Sequence, residues 1–527
     1  MRVDGVPLGD LNAMVWMADL PSYWAQRQPQ ARAFVFDNRV WSYAHLDSAA
    51  KRLCAGWRLG GLASGDRIAY LGRNCELFYA AFFACAFGGF VFVPVNWRFS
   101  ARELQFVFSD SRPRLIVYDA DFVELAHSAC DGLMPRPDLL PVEGQDASLR
   151  HSSAQDALDA DRVVLRFEAP FLQLYTSGTT GKPKGALLSH GAVSLTRHGD
   201  ALTPQWDKWC PDDVVLAAMP NFHIAGIGFV THALAAGATC IHTADPSPAN
   251  LLALAQKYTV TRIFMVPTTV RLFLDETKRT GLRAPQFKTL YYGASPMSPA
   301  LLQEAITALG CRFGQYYGMT ETCGTGTFLG AADHDPARPH LMRSVGRPFA
   351  GVSVEIRRPN NSVCDASEPG EICIRSRANM LGYANQPDAT REVLQAEWYK
   401  TGDGGYLDRE GYLYLTDRIR DLIISGGENV YPVEIENVLR EHPAVNEVAV
   451  VGLPDEKWGE AVTAIVEWRP DSAASLKELR AFAREQLAGY KLPQSVFAVS
   501  ALPRTASGKV QRAAAKALLA NLKALSE

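Results

Sequence analysis

A chain of 527 residues with 47% hydrophobic and 21% charged content is globular in composition, long enough for roughly three to four domain-sized units. Its formal charge of −3 gives no general pull toward nucleic acid or an anionic membrane, so any phosphate must be held by local geometry. Ten cysteines with no C-x-x-C pair and no regular spacing suit reduced thiols in a core better than disulfides or zinc.

The stretch Met1 to Leu20 breaks its apolar residues with Asp4, Asp10 and Asp19, unlike a secretory signal, and Ala524 to Glu527 is not a peroxisomal address, so a cytoplasmic location is expected. Short β-rich runs (Arg67 to Leu71, Phe90 to Val93, Leu115 to Tyr118) alternate with helical patterns (Tyr43 to Leu59, Ala101 to Phe108). That alternation predicts an α/β fold, sheets with helices on their faces. The uncharged run Leu77 to Val95 approaches membrane-spanning length, but Gly88-Gly89 and Pro94 divide it into a buried helix, a turn and a buried strand. Leu133 to Asp161, rich in Pro, Ser and Asp, reads as a long surface connection into a strand Phe171 to Tyr175.

Beyond residue 416 a short helix Val433 to Leu439, strands Val445 to Val451 and Ala461 to Trp468, and an amphipathic helix Ser475 to Leu487 predict a small α+β domain. The charged run Asp417-Arg418-Ile419-Arg420-Asp421 suits a hinge, which divides the chain into residues 1–416, 417–421 and 422–527.

After the strand ending at Tyr175 comes Thr176-Ser177-Gly178-Thr179-Thr180-Gly181-Lys182-Pro183-Lys184-Gly185. Glycines let backbone N–H groups converge on an anion, hydroxyls add donors and lysines add charge, so the loop is a candidate polyphosphate cradle. It is not a Walker A loop, because Pro183 follows Lys182 and the glycine spacing differs. No G-x-S-x-G elbow, kinase glycine loop or metal-ligand cluster accompanies it.

Tyr175 to Gly185 resembles the signature loop of the adenylate-forming superfamily, which contains acyl-CoA synthetases, luciferases and peptide-synthetase adenylation domains. In that superfamily's order follow Tyr317-Gly318-Met319-Thr320-Glu321, Trp398 to Asp403, Asp417 to Asp421, Gly426 to Asn429 with Pro432 to Glu436, and Pro503 to Lys509. The resemblance runs from about residue 40 to 515. It implies a large N-terminal domain of layered α/β sheets with a small barrel-like subdomain, and a small mobile C-terminal domain.

For the site, the resemblance implies that Thr176, Ser177, Gly178, Thr179, Thr180, Lys182 and Lys184 hold the β- and γ-phosphates of ATP. Thr320 meets the α-phosphate, Glu321 and Thr176 lie at Mg²⁺, and Lys509 reaches the acid and α-phosphate. Asp403 and Arg418 take the ribose side, Tyr317 the adenine, and Gly293, Ala294 and Ser295 its other face. Taken singly, Asp403 is as readily a turn residue, Tyr317 a core aromatic and Lys509 a solvated charge.

Ser425, Gly426 and Gly427 suit the pantetheine arm of CoA, and Arg420 falls at the hinge position, where the family usually carries Lys or Asp. The stretch Pro220 to Phe229 resembles the acyl-pocket segment, with His223 beside the carboxylate and Ala225, Gly226, Gly228, Phe229 and Tyr316 around the acyl group. His223 alone reads equally as a core histidine. No acidic side chain from Asn221 to Leu234 would pair an amino acid's ammonium, so an apolar acid is expected. The resulting expectation is an ATP-dependent carboxylic acid:CoA ligase, first for a medium- or long-chain fatty acid. A bulky cyclic, steroid-side-chain or aryl acid comes second, as does an acyl-AMP ligase loading a carrier protein. No nucleic acid or membrane span is expected, and a homodimer is left open.

Overall fold

The computed structural model describes residues 2–3, 6–7, 16–142, 163–176, 183–282, 285–295, 297–418, 421, 423–425, 428–430, 432–455, 458–487, 489–504 and 510–519. Among the described residues, two large sheets and two smaller ones organise the chain, beside the two-stranded pair Arg2–Val3 and Val6–Pro7.

One large sheet has seven strands in the order Gly382–Tyr383, Lys184–Ser189, Pro170–Thr176, Val91–Pro94, Arg67–Leu71, Leu115–Asp119 and Asp138–Val142. The other has nine, in the order Arg347–Pro348, Thr327–Leu329, Arg312–Tyr317, Thr289–Gly293, Arg262–Met265, Val214–Ala217, Thr239–His242, Arg32–Phe36 and Arg39–Ser42. Its middle strands are parallel, as expected when helices fill the crossovers.

The helix Glu76–Gly88 explains the uncharged run noted in the sequence. Every residue in it except Leu77 is buried, because it lies between the two sheets. Tyr79 stacks on Phe34 of the nine-stranded sheet (5.3 Å between centroids), and Phe82 meets Phe171 of the seven-stranded sheet (4.9 Å). Gly89 ends it in a left-handed conformation (φ 68°), and the chain turns directly into Val91–Pro94. No helix among the described residues is long and apolar enough to cross a membrane.

A third, antiparallel sheet joins Val352–Arg357, Gly370–Ser376, Trp398–Leu407, Leu394–Gln395 and Leu413–Arg418. The fourth joins Glu428–Val430, Ile423–Ser425, Gly459–Trp468, Val445–Asp455 and Ser495–Val499 around its own apolar core. The helices Pro432–Arg440 and Leu476–Arg484 carry their apolar faces into that core. Ser475 caps the second through a reciprocal pair of bonds with Glu478.

One expectation needs correction. Part of the supposed surface connection after Leu133 is a strand, Asp138–Val142, paired in parallel with Leu115–Asp119. It lies at the sheet edge, where Pro141 costs no ladder bond. The ten cysteines are free; Cys210, Cys311 and Cys364 are half-buried and the rest buried.

Candidate active site

The site begins at a hairpin base. Thr176 and Lys184 are the last paired residues of the antiparallel strands Pro170–Thr176 and Lys184–Ser189, so the glycine- and hydroxyl-rich loop springs from between them. Ser177, Gly178, Thr179, Thr180 and Lys182 lie outside the described residues. Both ends of the loop are placed: Thr176 Oγ1 points at Glu321 Oε1 (3.5 Å), and the Lys184 ammonium stands over the Tyr383 ring (5.1 Å).

Glu321 sits in the short 3-10 turn Thr320–Thr322 that follows the strand Arg312–Tyr317. The turn folds back tightly, and a Cβ on Gly318 would stand 2.5 Å from the Gly324 carbonyl oxygen, so only glycine fits there. Glu321 is 7% exposed. Its carbonyl accepts from Met380 N (2.7 Å), and Oε1 accepts from Tyr383 Oη (2.8 Å). Among the described residues, the polar partners of this carboxylate both reach Oε1, which leaves Oε2 open to another ligand. Thr320 beside it is half-buried.

Asp403 enters from the third sheet. Gly402 (φ 71°) turns the backbone, Asp403 N donates to Thr401 Oγ1 (3.0 Å), and Asp403 pairs with Arg418 in the register of the neighbouring strand. Tyr317 Oη donates to Asp403 Oδ2 (2.9 Å). The Tyr317 ring is 8% exposed and packs with Ile372, Ile374 and Leu413, so it is a core aromatic whose hydroxyl orients the aspartate. Tyr399 links the groups. Burial pushes its phenol well up, and the carboxylates of Glu321 and Asp403 both add to the rise. The loop base, the Thr320/Glu321 turn and Asp403 therefore lie close together around Tyr383 and Tyr399.

Paired with the strand Arg312–Tyr317, the strand Thr289–Gly293 ends where a Cβ at Gly293 would meet the Tyr316 carbonyl oxygen at 2.6 Å. Ala294 follows at φ 64°, a conformation that costs an L-residue about 1–2 kcal/mol, and Ser295 comes next. Lys509, Arg420, Gly426 and Gly427 lie outside the described residues; the Arg418 side chain is likewise not described. Ser425 is buried at the end of its strand.

The acyl-pocket residues divide. His223 precedes the helix Ile224–Ala235, and its Nε2 is covered yet meets no hydrogen-bond partner among the described residues. Burial, with Arg98 adding its positive charge, pushes the imidazole down to about 4. His223 is therefore neutral at physiological pH. By NMR it should titrate near pH 4 in the free protein, identified by the signal lost in His223→Gln; titration near 6.5 would contradict the burial argument.

Gly228 faces open space, since a Cβ there meets nothing within 4 Å, and Ala225 is half-buried. Gly226 does not leave room for substrate as expected. A Cβ there would stand 2.3 Å from the Pro220 carbonyl oxygen, so its smallness serves the close approach of the helix to the preceding loop.

Phe229 and Tyr316 belong to an aromatic wall that sequence reasoning missed. Phe229 meets Trp209 (5.2 Å) and Tyr291 (5.7 Å), and Tyr316 meets Trp206 (5.5 Å) and Phe328 (5.3 Å). His232, one helical turn beyond Gly228 and bonded to its carbonyl (2.8 Å), stands 5.3 Å from Trp206.

An α/β fold that brings the two ends of a hydroxyl-lysine segment, a buried glutamate and an oriented aspartate close together suits a nucleotide-dependent enzyme. The AMP-binding enzyme family model matches residues 22–384, and the C-terminal domain model of the same enzymes matches 434–509. A fatty acid–[acyl-carrier-protein] ligase of Streptomyces coeruleorubidus is 38% identical over 499 residues, 93% of this chain and 94% of that one. A feruloyl-CoA synthase of Amycolatopsis is 34% identical over 491 residues, 92% of this chain and 95% of that one. The o-succinylbenzoate CoA synthetase of Bacillus subtilis, solved with its acyl-adenylate, superposes with a TM-score of 0.82 at 32% identity, covering 94% of this chain and 97% of that one. The same synthetase solved with ATP and a magnesium ion gives 0.82 at 31%, over 94% and 99%. The chain belongs to the AMP-binding enzyme family, within the adenylate-forming superfamily, and its reaction class is that of an AMP-forming acid–thiol ligase.

Proposed function

We propose that this protein joins a compact apolar carboxylic acid, one ring or a short chain, to coenzyme A in two steps. The acid's carboxylate oxygen attacks the α-phosphorus of ATP, the bond to the β-phosphate breaks, and acyl-AMP and pyrophosphate form. The thiol of CoA then attacks the acyl carbonyl, and AMP leaves. Negative charge grows at the acid, the phosphorus and the leaving group, so donors are needed at three places.

The Thr176–Lys184 loop serves the β- and γ-phosphates, Thr320 the α-phosphate, Asp403 with Arg418 the ribose, and Gly293–Ser295 the base. Neutral His223 faces the acid's carboxylate. Lys509 approaches the acid and α-phosphate, and Ser425, Gly426 and Gly427 later border the pantetheine arm after a turn at residues 417–421, with Arg420 at the pivot. Glu321 suits Mg²⁺: no group of three ligand side chains exists among the described residues, and one carboxylate with an open oxygen matches an ion bound mainly through nucleotide phosphates. When bound, the ion offsets phosphate charge; the protein's part is to hold the Glu321 carboxylate through Tyr383.

The observation that carries the acid class is the aromatic wall of Trp206, Tyr316, Tyr291 and Phe229, which packs against the helix of Gly228 through Phe229 and through His232, bonded to the Gly228 carbonyl. A second reading, a medium- or long-chain fatty acid, is supported by the 38% identical fatty-acid ligase. Pyrophosphate release should favour benzoate, cinnamate and hexanoate over dodecanoate and palmitate by about tenfold or more in kcat/KM. A maximum at palmitate would overturn the compact-acid reading, and phosphate release in place of pyrophosphate would overturn the reaction.

A further inference from the structure

Against the rings of Trp209 and Tyr291 lies a charge cluster that includes none of the residues assigned above to the nucleotide. Arg262 opens the strand Arg262–Met265 and points inward at 2% exposure. Its Nε donates to Asp213 Oδ2 (2.9 Å), its Nη1 to Asp207 Oδ2 (2.9 Å) and Tyr291 Oη (2.9 Å), and its Nη2 to the Lys208 carbonyl (3.0 Å). The guanidinium also lies over the Trp209 ring (4.9 Å). Outer cations complete the cluster: Lys288 reaches Asp213 Oδ1 and Arg312 reaches Asp207 Oδ1, each at 2.8 Å.

Burying such a group is costly, and an apolar side chain would fill the space without that cost. What an arginine adds is a rigid planar fork that ties several points at fixed angles. Here three of those points, Asp207, Lys208 and Asp213, belong to the segment that carries Trp206 and Trp209, and the fourth, Tyr291, belongs to the sheet. Trp209 Nε1 donates to the same Tyr291 hydroxyl (2.9 Å), and Trp206 stacks on the Tyr291 ring (5.7 Å) before meeting Tyr316. Burial works to raise the Asp213 carboxyl, but the Lys288 hydrogen bond and the Arg262 charge outweigh it and hold it at about 2, so the truss stays ionised over the working pH range.

We infer that Arg262 is a positioning residue for acid selection: by pinning the 203–213 segment to the sheet it holds Trp206 against Tyr316 and Trp209 against Phe229 and sets how far an acyl group reaches. The inference rests on the compact-acid reading of the pocket. Arg262 touches no reacting atom; it acts through Trp206 and Trp209.

The test is pyrophosphate release, with kcat and KM for benzoate and for the series from butanoate to dodecanoate. Trp206→Ala, which removes part of the wall itself, should raise the dodecanoate-to-benzoate ratio of kcat/KM by about tenfold. Arg262→Lys, which keeps charge but loses the fork, and Asp207→Asn, which loosens the segment while Arg262 keeps Asp213, should shift the ratio the same way. In both, KM for benzoate should rise with kcat held within about twofold. If Arg262→Lys does not fold, Asp207→Asn carries the test alone. A purely structural role lowers turnover of every acid alike and leaves the ratio unchanged. That result in the truss variants, with a shift in Trp206→Ala, overturns the role of Arg262 and leaves the pocket reading standing. No shift in Trp206→Ala overturns both.

Discussion

Glu321→Gln is expected to lower the adenylation kcat by about a hundred- to a thousandfold while leaving the fold intact. The glutamate is buried, and its carboxylate is oriented by Tyr383 Oη at 2.8 Å with Thr176 Oγ1 beyond, both on Oε1. Glutamine is nearly isosteric and its amide oxygen can still accept from Tyr383, so the packing of the Thr320–Thr322 turn survives. What disappears is the negative charge on the open oxygen. Tyr383→Phe supplies the internal comparison: it keeps the charge and removes the hydrogen bond that aims it, so the loss should be about tenfold. Single-turnover formation of acyl-AMP measures both. Turnover in Glu321→Gln within about threefold of the parent would remove Glu321 from the phosphate end of the site.

Much of this candidate site can be read along the chain because its parts are contiguous motifs, each carried on or next to a strand. The helix Tyr43–Leu59 has its predicted bounds because the signal is local: apolar periodicity, and Ser42 accepting from His45 N as a cap. The run Leu77 to Val95 breaks where its glycines and proline require. The strand Asp138–Val142 was hidden by local chemistry, since prolines at 135, 137 and 141 mimic a loop while an edge position tolerates them. Gly226 was misread because a small residue in an apolar helix looks the same from sequence whether it faces a ligand or its own backbone.

The aromatic wall and its truss were illegible for a different reason. Arg262 finds Asp207 and Asp213 55 and 49 residues away, and Trp209 finds Tyr291 82 residues away. A polar stretch such as Thr203 to Asp213 shows no periodicity that would announce such partners. Tyr383 escaped notice likewise: its strand pairs with residues Ala186 and Leu187, nearly two hundred positions earlier.

The second large effect concerns the other end of the reaction. Lys509→Ala is expected to slow acyl-AMP formation by about a hundred- to a thousandfold and to leave thioester formation from preformed acyl-AMP and CoA within a few-fold of the parent. The substitution should not unfold the small domain, because the base of the loop is held by other residues. Arg504 and Val510 close it as an antiparallel bridge, and Gln511 N donates to the Pro503 carbonyl (2.8 Å). At the next residue, Arg512 grips buried Glu436 with both Nε and Nη2 at 2.8 Å and reaches Asp421 with Nη1 at 3.0 Å. Burial raises the Glu436 carboxyl, but the Arg512 hydrogen bond and charge more than reverse it, so the grip is ionic at neutral pH. The anchor thus ties the chain that follows Lys509 to Glu436 and Asp421 without using the lysine. A loss confined to adenylation follows if Lys509 meets charge that develops only in the first step, since an interaction absent from the second transition state contributes nothing there. Equal losses in the two half-reactions would place Lys509 in domain architecture and not at the reacting phosphorus.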